Sequence, residues 1–308
     1  MKRNSVSPLL SLSFSCRTSG LKVEGNLLAD VEYGFVFCRS ALSTSKLPDL
    51  NYSINPYVGC EHGCVYCYSR SFLGDRRLAE RWGSFVWAKR NLLERLRVEL
   101  ARKKRGVVGV GVLTDPYQPF EGRMRLTRGC VEILASYGFP VSLQTKSALI
   151  LRDVDLIKPE GFDVGVTITT LDEDLAGMLE PGASPPEARV QVVEEFSSRK
   201  VETWIFLGPI IPGINDDREN FERIVRVAER TGSLLLYDKL NLRREILKPL
   251  ENFFRRVKPE LLEGWPRILQ PSPSYWARVS RLLERLCRER NVKCQAAFQH
   301  FPKGGRLL

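Results

Sequence analysis

Histidine is nearly missing from this chain of 308 residues, with His62 and His300 the only two. A metal site of the histidine-rich kind therefore has few ligands to draw on. No window approaches the roughly 18 consecutive apolar residues of a membrane-spanning helix. The opening MKRNSVSPLLSLSFSC is too polar, and its apolar part too short, for a secretory signal. These absences point to a cytoplasmic protein without a membrane segment. Internal repeats and low-complexity tracts are lacking as well, so nothing argues against an ordinary globular chain.

What is present narrows the reading. At 43% hydrophobic residues the chain can bury a core without covalent staples, as one barrel-sized domain or two smaller ones. Lys and Arg number 47 against 36 Asp and Glu, a formal charge of +11. The excess is uneven: from Glu251 onward there are 12 basic and 5 acidic residues, a surplus of seven. Stretches such as RVSRLLERLCRER suggest a phosphate-rich partner, DNA or RNA, although a solvated helix face carries the same charge and no readout motif accompanies it.

Short β-branched runs alternate with longer amphipathic segments, the pattern of strand-helix units around a parallel sheet. Strands are expected at Val107–Leu113, Pro140–Thr145, Asp163–Thr169, Val201–Leu207 and Leu234–Tyr237, with a first short one ending near Gly59. Helices are expected at Lys89–Lys104, Thr127–Tyr137, Arg152–Ile157, Glu187–Arg199 and Asp217–Thr231. TDPYQPFEG, EPGASPP and LGPIIPGIND read as Pro/Gly-rich loops at one rim, where barrels of this kind build their sites. Residues 1–50 form an N-terminal extension and 51–250 the strand-helix body. Residues 251–308 form a basic C-terminal extension with a helix from about Tyr275 to Arg290.

Eight cysteines without a secretion signal argue for thiol chemistry or metal binding rather than a disulfide framework. Five of them are scattered and read as small buried hydrophobes. Cys60, Cys64 and Cys67, in NPYVGCEHGCVYCYS, are different. Soft thiolates take zinc, copper(I) or an iron–sulfur cluster. Zinc is closed by four ligands and the second pair is missing here, with His62 awkwardly placed inside the loop; zinc stays open as an alternative. An iron–sulfur cube on three thiolates keeps one iron free for chemistry, and Gly59 and Gly63 let the backbone wrap it.

The spacing C-x3-C-x2-C, with an aromatic residue just before the third cysteine, resembles the signature of the radical S-adenosylmethionine (radical SAM) superfamily. NPYVGCEHGCVYCYSR, TDPYQP, TKS, TITTLDEDLAGMLEPGA and PIIPGIND, in that order, resemble the subgroup related to spore photoproduct lyase. The resemblance runs from about Asn51 to Asn241. It implies an α/β fold, a partial (β/α)6 TIM-type barrel, with a [4Fe-4S] cluster on Cys60, Cys64 and Cys67 and S-adenosyl-L-methionine chelated at the open iron. It also implies an electron donor such as ferredoxin or flavodoxin, and reductive cleavage to a 5′-deoxyadenosyl radical that takes hydrogen from substrate.

By the same resemblance Tyr66 packs on the adenine side, Thr114 and Thr167 hydrogen-bond the cofactor, and Lys146 meets its carboxylate. Without the family, Lys146 reads as a surface lysine and Thr114 as a capping or turn residue. The lyase carries a cysteine near the end of the second strand that returns hydrogen to the product. Here VGVGVLTDPY has none, which argues against that repair route. Asp115 and Tyr117 are the catalytic candidates for substrate handling, with Glu121 beside them; Asp115-Pro116 alternatively just sets a turn. The rival from another class is a non-catalytic nucleic-acid-binding protein with a structural cluster or zinc.

Overall fold

The computed structural model describes residues 31–297. Its first strands are β1 (Glu32–Val36), β2 (Ser43–Thr44), β3 (Tyr52–Ile54), β4 (Tyr57–Val58), β5 (Phe85–Lys89) and β6 (Val108–Val110). β7 (Val141–Thr145), β8 (Phe162–Thr167), β9 (Glu202–Ile210), β10 (Leu234–Lys239) and β11 (Cys294–Ala296) follow. The α-helices are α1 (Arg76–Glu80), α2 (Leu92–Leu100), α3 (Glu121–Met124), α4 (Leu126–Ser136), α5 (Glu173–Leu179), α6 (Pro186–Ser198), α7 (Arg218–Thr231), α8 (Arg244–Val257) and α9 (Pro273–Glu289).

Eight strands share one sheet in the order β2-β3-β6-β7-β8-β9-β10-β11. From β3 to β10 six of them lie side by side in chain order, all parallel. Parallel neighbours need crossover connections, and the helical segments supply them. β2 adds antiparallel to β3 and β11 adds parallel to β10. These two are the edges, so the sheet is a partial barrel of strand-helix units. No helix among the described residues is long and apolar enough to cross a membrane.

Alternation along the strands sets the two faces. Val164 and Val166 of β8 and Ile205 and Leu207 of β9 are wholly buried in one core with Val192, Val193 and Phe196 of α6 and Phe221 and Ile224 of α7. Each such side chain contributes about 1.5–3 kcal/mol. Asp163 and Trp204, one position before each pair, face the other way and are part-exposed. On that face Ser142 Oγ and Trp204 Nε1 both donate to Asp163 Oδ1, at 2.6 and 2.7 Å. Helix ends follow local chemistry: Asp217 caps α7 by accepting from the Asn220 N–H at 2.8 Å, and Gly232 ends it in the left-handed region at φ 66°.

The expected elements need three corrections. The helix expected from Lys89 starts at Leu92, because Phe85–Lys89 is strand β5, pairing with β1 some fifty residues earlier. The helix expected over Arg152–Ile157 is a 3-10 turn at Ala148–Asp153, where Arg152 and Asp153 are drawn into ion pairs. The first strand is split: β3 joins the large sheet and β4 a small one in the order β1-β5-β4, with Asn55 and Pro56 between them. Beyond residue 250, α9 packs on α7 and β11 extends the large sheet. α8 runs across residue 250 and lies in a second apolar cluster with Leu179, Tyr66 and Cys64.

Candidate active site at the rim of the parallel sheet

The three cysteines lie on the turn that follows β4. Gly59 opens it at φ 82°; a side chain there would put Cβ 2.3 Å from the Phe85 carbonyl oxygen, so only glycine fits. Gly182 presses on the loop from outside, where an added Cβ would meet Glu61 O at 2.1 Å. Its N–H donates to His62 O at 3.1 Å, and the Val65 N–H donates to Leu179 O at 3.0 Å. Arg70, buried, donates to Cys64 O at 3.4 Å and Ala79 O at 3.1 Å. The loop is thus tied on both sides through its own backbone.

Glu61, the residue after the first cysteine, is held from the N-terminal strand. Tyr33 of β1 donates to Glu61 Oε2 at 2.7 Å, and the Phe120 N–H to Oε1 at 2.6 Å. Gln118 accepts from the Glu61 N–H at 2.9 Å and donates to Gly59 O at 3.4 Å.

Cys60 and Cys64 are buried and Cys67 part-exposed; all three are free thiols. Burial, then the charges of Asp115 and Cys64, push the Cys60 thiol up. Burial pushes Cys64 up to about 12 although Lys146 pulls the other way. Thiolates so placed are favoured only with a cation among them, which is the chemistry of a metal-ligating set. Among the described residues no group of three or more His, Cys, Asp or Glu side chains is arranged to hold a single metal ion. Three thiols on one loop, without a second pair of ligands in it, are the donor set of an iron–sulfur cluster rather than of a closed four-ligand zinc site.

Lys146 follows β7, whose carboxyl end lies at this rim. Burial presses its ammonium down, but Cys64, Glu180, Asp115 and Cys67 outweigh this and hold it above the ordinary lysine value. Thr167, at the end of β8, accepts from Gln144 Nε2 at 3.3 Å. Thr114 is buried and donates to Tyr57 O at 3.4 Å. Tyr66 is buried with its hydroxyl on Glu180, which also pairs with buried Arg189 and accepts from Thr169 Oγ1 at 3.2 Å. Burial opposes the Glu180 charge, yet Arg189 and Lys146 hold its carboxyl below the usual range.

The residues expected to handle substrate are enclosed instead. Asp115 Oδ1 accepts from the Tyr117 N–H at 2.9 Å and Thr145 Oγ1 at 2.7 Å, and Oδ2 from the Lys146 N–H at 2.7 Å. His62 Nδ1 stands 3.3 Å from Oδ2, short of hydrogen-bond geometry. Burial works against the carboxylate, but His62, Lys146 and Thr145 hold it well below the usual range. Tyr117 is wholly buried in the main core; burial and the Asp153 and Glu121 carboxylates push its phenol well up. Glu121 is equally buried, accepting from Tyr57, the Thr127 N–H and Arg152. The geometry therefore gathers the cysteines, Lys146, Asp115 and Tyr66, and leaves Tyr117 and Glu121 on the core side.

Glu61, Gln118, Glu180 and Arg189 were not singled out from sequence. For Glu180 the signal was the EPGASPP punctuation just past TITTLDED, read as a loop.

The family model described as Radical SAM superfamily matches residues 54–226. An uncharacterized protein of Mycobacterium tuberculosis is 28% identical over 282 residues, spanning 87% of this chain and 82% of that one. In solved structures the fold is similar to a spore photoproduct lyase complexed with dinucleoside spore photoproduct, with TM-score 0.64, 15% identity, and 86% and 82% of the chains covered. It is also similar to a radical SAM methyltransferase from Sphaerobacter thermophilus, with TM-score 0.53, 17% identity, and 83% and 67% covered.

Proposed function

This chain belongs to the radical SAM superfamily, and on that premise we propose that Cys60, Cys64 and Cys67 hold a [4Fe-4S] cluster that binds S-adenosyl-L-methionine. When bound, these groups supply a one-electron cleavage to methionine and a 5′-deoxyadenosyl radical that abstracts hydrogen from substrate. The chain's own residues bind and aim. Lys146 offers its positive charge to the cofactor's carboxylate, and Thr114 and Thr167 offer hydroxyls at strand ends. Tyr66, fixed by Glu180, backs the loop on the cofactor side. Asp115 is a positioning residue that holds the Lys146 backbone and Thr145 beside the cysteine loop, and Tyr117 packs behind it.

The observation that carries this reading is the meeting of three unpaired thiols with one lysine at the rim of a parallel sheet. Anaerobically reconstituted protein should hold about four irons with matching sulfide. Cys60→Ala, Cys64→Ala or Cys67→Ala should abolish this and Cys130→Ala should not. Stoichiometric zinc without iron in anaerobic material defeats the reading.

A nucleic acid is the substrate class we propose, approached through α9. Arg278, Arg281, Arg285 and Arg288 are all exposed there, at spacings of three and four that share a face. The segment from Val108 to Thr114 holds no cysteine, so no thiol of that strand can return hydrogen to a product radical. Affinity for DNA or RNA should fall steeply with salt, and Arg281→Glu with Arg285→Glu should weaken it while iron content stays. Absence of binding at low salt would sink the nucleic-acid part alone.

A further inference from the structure

Helix α9 ends on a turn that folds the chain back against it. Asn291 takes the left-handed region at φ 55°, its N–H donates to Arg288 O at 3.2 Å, and the Val292 N–H donates to Cys287 O at 2.8 Å. This double closure satisfies the last carbonyls of the helix and reverses the chain. Strand β11 follows at once and packs on α9. Along it Val292, Cys294 and Ala296 turn toward the core that holds Cys287, because alternate strand residues share a face.

The reversal brings two thiols together. Cys287 is buried, and its S–H donates to the sulfur of Cys294, which is part-exposed. That contact is the largest influence on both groups: it draws the Cys294 thiol below its ordinary value against the effect of burial, and raises that of Cys287. A reachable sulfur with thiolate character beside an enclosed partner is the arrangement of an attacking and a resolving thiol. Cys38 and Cys130 are placed differently. Cys38 spends its thiol on Asn91 Oδ1 at 3.3 Å, and Cys130 is wholly buried in the main core.

We propose that Cys287 and Cys294 are a reversible dithiol–disulfide pair, oxidised by exchange with a small-molecule disulfide such as oxidised glutathione. The Cys294 thiol gives its proton to solvent and attacks one sulfur of that molecule, whose S–S bond breaks as one thiolate leaves with the electron pair. Cys287 likewise gives up its proton and attacks the Cys294 sulfur, and the second thiolate leaves. Both leaving groups take up protons, so two protein thiols are oxidised and one disulfide is reduced to two thiols. The bond fastens β11, a three-residue strand at the edge of the large sheet, to the end of α9. Short edge elements are otherwise the first to open. None of these residues belongs to the cysteine loop, so the pair acts whether or not a cluster is held there.

The test equilibrates full-length protein, without oxygen, in glutathione buffers of rising oxidised fraction, then alkylates it and digests it with trypsin. Arg288, Arg290 and Lys293 lie between the two cysteines, so the bond leaves two peptides joined that part on reduction. Wild type should give the joined pair. Cys287→Ser should lack it and keep glutathione on Cys294, whereas Cys294→Ser, at the part-exposed position, should carry glutathione on neither residue. Oxidised wild type should melt a few degrees above reduced wild type, with no such rise in either variant. Joined peptides that form only in denaturant, Cys294 joined to any other cysteine, or no joined peptides in fully oxidised buffer overturn the proposal.

Discussion

Two buried glutamates brace the cysteine stretch from opposite sides, and they differ in how much freedom they leave. Tyr57, three residues before Cys60, donates to Glu121, which pairs with Arg152; Tyr66, between Cys64 and Cys67, donates to Glu180, which pairs with Arg189. On the Glu121 side, Arg152 is 20% exposed and shared with Asp153. On the Glu180 side, Arg189 and Glu180 are 2% and 0% exposed, and the arginine's remaining bonds go to Ser184 O and Thr167 O. The first hub can relax toward water and a second acid. The second cannot, and it is the one beside Lys146 and Cys64. Rigidity is concentrated where a cofactor has to be aimed.

Substitutions separate the two sides. The largest effect is expected for Arg189→Met, which strands the Glu180 charge in the interior. Breaking a buried pair from one side costs about 3–5 kcal/mol. The denaturation midpoint should drop accordingly and iron content after reconstitution should fall with it. Stability within 1 kcal/mol of wild type would show that water reaches this pair.

Glu121→Gln should cost less, about 1.5–3 kcal/mol, because it weakens charge-assisted bonds while Arg152 keeps Asp153. Iron content should be unchanged; a loss matching that of Arg189→Met would erase the contrast between the hubs.

A third carboxyl sharpens the comparison by having no arginine. Asp238, at the register shift near the end of β10, is pushed up to about 6 by burial, against only the backbone and charge of Lys239. A carboxyl raised on folding adds stability below its unfolded value, near 3.8, and loses it as pH rises through the folded value. Asp238→Asn should therefore stabilise the protein at pH 7. At about 1.4 kcal/mol per tenfold change in proton affinity, halved for partial exposure, the gain is roughly 1–2 kcal/mol. It should vanish below pH 4. Melts at pH 3.5 and pH 7 check the sign, and equal differences at both would refute the assignment.

Legibility followed range along the chain. The cysteine spacing is local, so Cys60, Cys64 and Cys67 stood out at once. β7 to β10 and α4, α6 and α7 fall within a few residues of expectation because alternation and helical periodicity are local too. β5 was not expected, and only its last residue, Lys89, entered an expected helix, because its partner β1 is distant in sequence. α8 was missed because Pro249 sits inside it, where proline ordinarily argues against a helix. Glu180 and Arg189 pass unnoticed in the sequence and Glu121 reads as a substrate-handling residue, since charged residues are seldom buried unless paired and pairing is a property of the fold. Asp115 was chosen for its loop and rim position, which a sequence reveals; that both its oxygens already accept from neighbours is visible only in three dimensions.

The unclosed sheet has one more consequence. A complete barrel has no edge strands, whereas this sheet has two, and each is a row of backbone groups on which a stranger's strand could add. Among the described residues the edges are β2, two residues long and running against its neighbour, and β11, three residues long. Templates that short give a second chain little to zip onto, so the sheet stays open without inviting the molecule to polymerise.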